Sequence, residues 1–347
     1  MPADAPQPLV TLVTPVYNGV TYLAEAVESV LAQTYANWEY IIVDNNSKDG
    51  TSELADELAQ RDPRVRVEHP DAFVSQYENW NRAVAMASPQ SEFCTLLCAD
   101  DRLYPRFVES MVRAGETSPR VGVIGCYRLE GRNVFPQGVG ALGSVIPGRE
   151  AARHHLRRDF RLFCCPSAMM YRTEAIRRAK GAFFPEGWVH ADIAVCYQVL
   201  QHWDFAFAQE LLSFNRMHDE SVTATVADRL CTIALEDAMM ARRYGPAFFE
   251  GAELDAVQQH NQRHYYRELF LRRNLPDRRE VLDYQAKRWP EVGGSFSRAA
   301  LRKATIREWC KFVFNPDGVL RLFKKTPRPE APPTTNPAST ATAAPQP

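Results

Sequence analysis

Residues 8–51 read PLVTLVTPVYNGVTYLAEAVESVLAQTYANWEYIIVDNNSKDGT. The run Val10–Val13 is short, apolar and rich in β-branched residues, which predicts a buried strand. The apolar residues that follow recur at helical spacing and predict an amphipathic helix over about Thr21–Gln33. A second apolar run, Tyr40–Val43, predicts another strand that ends at Asp44. The stretch therefore predicts a strand–helix–strand unit.

The same alternation continues to residue 126. The predicted elements are a helix at Ser52–Gln60, a strand at Val65–Glu68, a helix at Tyr77–Met86, a strand at Phe93–Cys98, a helix at Phe107–Ala114 and a strand at Val121–Cys126. This order predicts an α/β fold with a mostly parallel sheet and helices on both faces. Ligands of such sheets lie beyond the carboxyl ends of the strands, where polar loops follow the first, second and fourth predicted strands.

The chain after residue 126 is less regular. The Gly- and Pro-rich segment Arg128–Gly148 predicts a long loop. Strands are predicted at Leu162–Tyr171 and Phe205–Ala208, and a helix at Ala191–His202. From residue 226 to about 325 the pattern is mostly helical and basic, and the Pro-rich segment 326–347, which has no aromatic residue, predicts disorder. The predicted organisation is a catalytic α/β domain at 8–225, a helical region at 226–325 and a tail at 326–347.

Composition excludes several classes of protein. The 347 residues include 41 Lys and Arg and 42 Asp and Glu, so a broadly basic nucleic-acid-binding protein is not expected. Eight cysteines form no CxxC pair, which is typical of reduced thiols in a cytoplasmic protein. No apolar run is long enough for a transmembrane helix, and the amino terminus does not resemble a signal peptide. We therefore expect a cytoplasmic protein.

Two acidic sites follow predicted strands. Asp100 and Asp101 stand in CTLLCADDRLYP, and adjacent carboxylates at the mouth of a buried strand are costly unless a positive group lies beside them. A divalent cation with a diphosphate meets that need, and capping of the next helix is the alternative. Asp44 in VDNNSKDGT either accepts hydrogen bonds from a base or ribose or belongs to an Asn/Gly-rich turn.

Two further candidates lie later in the chain. In NRMHDESVT, Arg216 and His218 are two residues apart and point the same way in an extended segment, where they could face a phosphate or a metal or be structural. In GWVHADIAVCYQVL, Asp192 opens a predicted helix, whose dipole is expected to lower the carboxyl pKa and keep it ready to accept a proton. Glu186 and His190 are the rival bases, and a purely structural helix carboxylate is the alternative.

The aromatic run that precedes Asp192 is expected to wall a pocket beside that carboxylate. That run is Phe183-Phe184-Pro185-Glu186-Gly187-Trp188. Other catalytic motifs are missing from the sequence. There is no G-x-G-x-x-G after the first strand, no G-x-x-x-x-G-K-[ST] and no G-x-S-x-G. A dinucleotide-dependent dehydrogenase and a P-loop NTPase are thus disfavoured.

Taken together, these segments resemble the inverting GT-A glycosyltransferases of family 2. The resemblance covers about residues 8–225 and includes the order as well as the type of the segments. The similar stretches are TPVYNGVTYLAEAVESVLAQTY, VDNNSKDGT, SQYENWNRAVAMASPQSEFCTLLCADDRLYP, the HAD of residues 190–192 and NRMHDESVT. It implies a GT-A fold, which is a Rossmann-like α/β arrangement, here with a helical C-terminal extension.

The resemblance also implies roles for individual residues. Nucleotide-sugar binding is implied for Pro15, Val16, Tyr17, Asn18, Asp44, Asn79, Arg82, Asp100 and Arg216. Asp101 and His218 would hold Mg²⁺ or Mn²⁺, and Asp192 would be the general base. The implied partners are a UDP- or dTDP-sugar donor and a glycan or lipid-linked acceptor, in bacterial polysaccharide or glycan synthesis.

The sequence departs from the family pattern at three places. Asn45 and Asn46 replace the usual acid and glycine, Cys98-Ala99 precedes the two aspartates where a fuller run of acids is usual, and His190-Ala191-Asp192 stands where Glu-Asp is commoner. These departures leave open a second hypothesis, a catalytically silent nucleotide-sugar-binding or scaffold protein on the same fold.

The segment 295–326 carries eight basic and two acidic residues, a net charge of about +6, interleaved with aromatic and aliphatic side chains. This composition suits an anionic membrane surface and predicts peripheral association at its inner face. An ordinary helix packed on the catalytic domain is the alternative.

Overall fold

A computed structural model describes residues 7–137, 139, 143–163, 165–272, 277–292 and 297–314. Its centre is one ten-stranded sheet with the strand order β3-β2-β1-β4-β9-β6-β10-β5, with β7 paired to β6 and β8 to β10. The strands are β1 (Leu9–Val16), β2 (Trp38–Asp44), β3 (Val65–Glu68), β4 (Ser91–Leu96), β5 (Arg102–Leu103), β6 (Val121–Glu130), β7 (Asn133–Phe135), β8 (Val145–Ile146), β9 (Met169–Arg172) and β10 (Asp204–Asn215).

The long ladders of this mixed sheet are parallel, which confirms the α/β prediction. Strand β1 runs parallel to β2 and β4, β2 to β3, and β6 to β10. Strand β9 is antiparallel to both β4 and β6, and β5 is antiparallel to β10. Strands β1 to β4 lie where the sequence pattern predicts strands, and the predicted strands Val121–Cys126 and Phe205–Ala208 lie within β6 and β10.

The helices fill the connections and the C-terminal third. They are α1 (Leu23–Leu31), α2 (Thr51–Ala59), α3 (Gln76–Ala85), α4 (Phe107–Gly115), α5 (Gly148–Arg157), α6 (Thr173–Arg177), α7 (Ala191–Val199), α8 (Thr232–Arg243), α9 (Gly251–Leu271), α10 (Arg278–Arg288) and α11 (Arg298–Phe314). In α1 the residues at helical spacing are the ones that become buried. Each fully buried aliphatic side chain of this kind contributes about 1.5–3 kcal/mol to folding.

The structure corrects two predicted segments. The predicted loop Arg128–Gly148 contains the end of β6, the strands β7 and β8, and the start of α5. Of the predicted strand Leu162–Tyr171, only the end is a strand, and a 3₁₀ turn at Pro166–Ala168 precedes it. The apolar pattern of the sequence did not predict β7 and β8, because these strands are only two or three residues long and pair with longer strands.

The helices α8 to α11 have an apolar cluster of their own. Leu235, Tyr265 and Trp289 are buried in it, and the Tyr265 and Trp289 rings stack with centroids 4.5 Å apart. Trp188 packs against both this cluster and the core around the sheet. The predicted tail 326–347 and the end of the basic segment 295–326 lie outside the described residues. No helix in the described part of the chain is long and apolar enough to cross a bilayer.

Candidate active site

The loops that follow β1 and β2 hold each other in place. The Asn18 amide donates to Ser47 Oγ at 2.9 Å, and Asn18 Oδ1 accepts from the Lys48 amide at 2.9 Å. The Gly19 amide donates to Thr51 Oγ1 at 2.8 Å. Asn18 has φ of 51°, a left-handed conformation that asparagine tolerates better than most residues. The predicted nucleotide-binding loops are therefore one hydrogen-bonded unit.

The residues around Pro15 that were predicted to bind the nucleotide sugar differ in solvent exposure. Pro15 and Val16 are buried in β1, and the Val16 carbonyl already accepts the Asn45 amide at 2.8 Å. Tyr17 is 49% exposed, and its ring lies 4.8 Å from that of Phe73, which is also exposed. The Tyr17 side chain is thus accessible to a ligand, unlike Pro15 and Val16. Its ring neighbour Phe73 was not suggested by the sequence.

Asp44 is buried at the end of β2. One carboxylate oxygen accepts the Ser47 amide at 3.1 Å, and the other accepts the Ser52 hydroxyl at 2.5 Å. His69 Nδ1 lies 3.5 Å from the same carboxylate, and its Nε2 lies 2.9 Å from Asp56. Asp56 and then Asp44 raise the pKa of His69, so both carboxylates favour its protonated form.

Helix α3 presents two polar side chains one turn apart. Asn79 is buried and its Nδ2 donates to the Val43 carbonyl at 3.4 Å, next to Asp44. Within the described residues, Asn79 Oδ1 and Arg82 Nη1 are buried without a hydrogen-bond partner. Unpaired buried polar atoms are uncommon in folded proteins, and a guanidinium group with an unpaired N–H suits an anionic ligand.

Asp101 is buried and accepts three hydrogen bonds, two at Oδ2 and one at Oδ1. It is 4% exposed and accepts the Ser167 hydroxyl at 2.5 Å, the Asn215 side-chain amide at 2.6 Å and the Arg216 backbone amide at 3.0 Å. The antiparallel pairing of β5 with the end of β10 brings these residues together. Burial and the nearby Asp100 charge raise the pKa of the Asp101 carboxyl to about 7.

Asp100 has different surroundings. Its Oδ2 lies 2.8 Å from His218 Nε2, and its backbone carbonyl accepts Arg216 Nε at 3.0 Å. Arg216 also pairs with Glu25 at 2.8 Å and lies over the Tyr22 ring. The structure thus joins Asp100, Asp101, Arg216 and His218 in one cluster. It leaves the carboxylate of Asp100 less enclosed than that of Asp101.

The donor set of this cluster fits a divalent cation. The ligand atoms of Cys98, Asp100 and Asp101 lie within 4.8 Å of one another. Magnesium and manganese prefer oxygen ligands, which the carboxylates of Asp100 and Asp101 offer. Burial and the two carboxylates raise the pKa of the Cys98 thiol well above its ordinary range, so it is a neutral group and a poor ligand for a hard cation.

Asp192 lies in the first turn of α7, half-buried among apolar side chains. Burial raises the pKa of its carboxyl to about 7, although amide hydrogen bonds at the helix start and the Arg128 charge act the other way. The predicted lowering by the helix dipole is wrong, because desolvation outweighs it. The charge of Asp192 also raises the pKa of the Cys98 thiol, which is consistent with a position near the acidic cluster.

The two rivals of Asp192 differ from it. Glu186 is exposed, whereas His190 shares a hydrogen bond with Thr232 Oγ1 at 3.0 Å, and burial lowers the pKa of its imidazole to about 4. The predicted aromatic wall is only partly available, since Phe183 and Phe184 belong to the core and Trp188 is half-buried.

Sequence reasoning missed several residues of the site. Ser167 and Asn215 bind Asp101, and Glu25 binds Arg216. Asn215 had a signal, because it adjoins Arg216 and opens the motif NRMHDESVT. Ser167 had none, since it lies in the irregular segment between β8 and β9.

Comparison with known proteins supplies the wider context. The family described as Glycosyl transferase family 2 matches residues 11–179. Among curated relatives, the glycosyltransferase GlyG of Streptococcus pneumoniae is 34% identical over 119 residues, which is 34% of this chain and 39% of GlyG. An uncharacterized glycosyltransferase of Rickettsia typhi is 27% identical over 64% of this chain and 68% of its own length. The chain thus spans about two fifths of the first relative and two thirds of the second.

Solved structures with a similar fold bind nucleotide sugars. Staphylococcus aureus TarS 1–349 in complex with UDP-GlcNAc has a TM-score of 0.62 at 14% identity, over 86% of this chain and 89% of that one. The mannosyltransferase PcManGT from Pyrobaculum calidifontis, in complex with GDP-Man and Mn²⁺, has a TM-score of 0.54 at 14% identity, over 91% of this chain and 84% of that one. These likenesses establish the GT-A fold.

Proposed function

Because residues 11–179 form a glycosyltransferase family 2 domain, we propose that this protein is a metal-dependent inverting glycosyltransferase. It moves a sugar from a nucleotide-diphosphate sugar to a hydroxyl group of an acceptor. The observation that carries the proposal is the cluster of Asp100, Arg216 and His218 at the sheet edge, with the protonatable Asp192 on the helix nearby. The acidic cluster and Asp192 would then supply different functions, charge neutralisation and proton removal.

On the nucleotide side, Tyr17 and Asn18 would contact the base and Asp44 would anchor the base or ribose end. Asn79 and Arg82 would face the ribose or diphosphate, which their unpaired buried atoms favour. Asp100 and His218 would hold the Mg²⁺ or Mn²⁺. When bound, such an ion offsets the negative charge that develops on the leaving diphosphate.

The two aspartates exchange the roles that the sequence suggested. Asp101 was expected to be the metal ligand and Asp100 to contact the donor. Three hydrogen bonds already occupy the carboxylate oxygens of Asp101, so we assign it to orienting the motif and Arg216. The less enclosed carboxylate of Asp100, with His218 beside it, is the better ligand pair.

On the acceptor side, Asp192 would take the proton from the attacking hydroxyl as the new bond to the anomeric carbon forms. A carboxyl with pKa about 7 is suited to this task, because about half of it is ionised at pH 7 and it is still basic enough to bind a proton. The hydroxyl attacks from the face opposite to the leaving diphosphate, so the anomeric configuration inverts. Glu186 is too exposed and His190 too weak a base to compete.

The donor, the acceptor and the cellular context are part of the proposal. UDP- or dTDP-sugars are the expected donors, and UDP-GlcNAc in TarS supports a uridine nucleotide. PcManGT with GDP-Man makes GDP-sugars the necessary comparison. A glycan or lipid-linked acceptor in bacterial polysaccharide synthesis remains the expectation. Peripheral membrane contact is favoured by the exposed Ile306 and Trp309 among basic residues of α11.

The test separates the enzyme from a silent binding protein. Melting temperature is measured with UDP, dTDP or GDP, with and without Mn²⁺, and release of nucleotide is measured from each sugar donor with and without acceptor sugars. The enzyme is expected to be stabilised by one nucleotide with Mn²⁺ and to release it, with the release suppressed by a chelator. Stabilisation without release across a broad acceptor panel would favour the catalytically silent alternative.

A further inference from the structure

The segment that precedes Asp192 is held by residues far away in the chain. We call residues 187–190 the base loop. Its Val189 amide donates to one oxygen of Glu236 at 2.9 Å, and its His190 amide donates to the other oxygen at 2.8 Å. Glu236 lies on α8 and is 0% exposed. Two consecutive amides thus converge on one buried carboxylate.

Three other contacts fix the same loop. The Gly187 carbonyl accepts Arg288 Nη2 of α10 at 2.8 Å, and Arg288 lies 3.8 Å from Glu236. The Val189 carbonyl accepts the Tyr77 hydroxyl of α3 at 3.1 Å. His190 meets Thr232 of α8. The loop therefore has partners on its amides, its carbonyls and its imidazole.

We propose that Glu236 is a positioning residue for Asp192, and that α8 and α10 complete the acceptor side of the active site. This inference rests on the proposed function, because it names the support of the proposed base. Glu236 is less suited than Asp192 to take the proton of the acceptor hydroxyl. Both of its carboxylate oxygens already accept amide hydrogen bonds, and its side chain is 0% exposed. It acts through the backbone that leads into α7.

The position of Glu236 allows it to orient Asp192 through the backbone. The His190 carbonyl accepts the amides of Ile193 and Ala194, so the base loop and the first turn of α7 are continuous. If the two amides lose their common acceptor, the helix start and the carboxylate of Asp192 lose their fixed direction. General-base catalysis depends on that direction, and a displacement of about 1 Å can cost a hundredfold in rate.

The neighbouring residue Asp237 is a matched control. It lies on the same helix, is 9% exposed, and binds the guanidinium groups of Arg158 and Arg161 instead of the base loop. Glu236→Gln keeps the size of the side chain but leaves one carbonyl oxygen for two amides and turns an NH₂ toward the other. Asp237→Asn makes the same chemical change one residue away, without touching residues 187–190.

The experiment measures hydrogen–deuterium exchange of residues 187–193, UDP affinity with Mn²⁺, and kcat and KM for the full-length protein. For Glu236→Gln we expect exchange in this segment to rise at least tenfold and kcat to fall at least tenfold, with UDP affinity within twofold. Asp237→Asn is expected to lower the melting temperature but to keep exchange in 187–193 and kcat within twofold. Thr232→Val, which removes a single contact, serves if Glu236→Gln does not fold and is expected to raise exchange there severalfold.

Normal exchange and normal kcat in Glu236→Gln would overturn the inference, as would equal losses in Asp237→Asn. Asp192→Asn separates this failure from failure of the proposed function. If Asp192→Asn keeps normal turnover, the proposed base is wrong, and the exchange data still decide whether Glu236 holds the loop. If Asp192→Asn is inactive and Glu236→Gln is normal, only the positioning role fails.

Discussion

The nucleotide side and the acceptor side of the proposed site are built differently. On the nucleotide side, the loops after β1 and β2 bind each other through hydrogen bonds within one strand–helix–strand unit. On the acceptor side, Asp192 follows a loop held by α3, α8 and α10, which lie more than 40 residues away in sequence. The first side is encoded locally, whereas the second exists only after the C-terminal helices have packed.

The largest effect expected from this difference is the separation of turnover from binding. Asp192→Asn removes the proton acceptor without touching the nucleotide loops, so kcat should fall about 10²–10⁴-fold while UDP affinity is unchanged. Glu186→Gln, an exposed carboxylate nearby, is the control and should retain turnover. His190→Ala is measured beside them. Loss of turnover in Glu186→Gln with normal Asp192→Asn would move the base to Glu186.

The acidic motif allows a second comparison, between its two aspartates. Asp100→Asn should lose cation-dependent turnover by about 10²-fold with little change in melting temperature, because it removes the charge that a cation needs. Asp101→Asn should instead lower stability by about 1–3 kcal/mol, because its amide NH₂ opposes the donors of Ser167 and Asn215.

Denaturant unfolding, Mn²⁺ affinity and turnover distinguish the two variants. A stable Asp101→Asn that no longer binds Mn²⁺, beside an Asp100→Asn that does, would restore the assignment of Asp101 as the metal ligand.

The pH profile tests the state of the base. The carboxyl of Asp192 has its pKa raised to about 7 and must be ionised to accept a proton, so kcat/KM should rise about tenfold per pH unit below 7 and level off above it. The titratable groups that interact with it are Arg128, Cys98, Tyr77 and Glu236. A profile that is flat from pH 5 to 8 would mean that the base has an ordinary carboxyl pKa or is another group.

The smallest expected effect concerns the outermost part of the helical region. Arg302 is exposed on α11, and one basic residue near an anionic surface is worth about 1 kcal/mol, so Arg302→Ala should weaken binding to anionic vesicles about fivefold at low salt. Pelleting with anionic and with neutral vesicles measures this. If the unchanged protein does not pellet with anionic vesicles at low salt, the membrane proposal is wrong.

The same contrast explains what the sequence could reveal. Strands β1 to β4 and the motifs at their ends were predictable, because the apolar run of each strand and the polar loop that follows it are adjacent in the chain. The site residues Ser167 and Glu236 were not, since each acts through a contact with a distant segment. The pKa of Asp192 was predicted in the wrong direction because the helix dipole is visible in sequence, whereas burial depends on the packed structure.

The stereochemistry of transfer tests the central proposal most directly. An α-linked nucleotide sugar is incubated with the protein and Mn²⁺, with acceptor sugars or with water alone, and proton NMR follows the first product formed. The proposed in-line attack assisted by Asp192 predicts a β-configured product that requires the metal and is lost in Asp192→Asn. An α-configured product, or donor that stays intact with every acceptor while the nucleotide binds, would contradict the proposal.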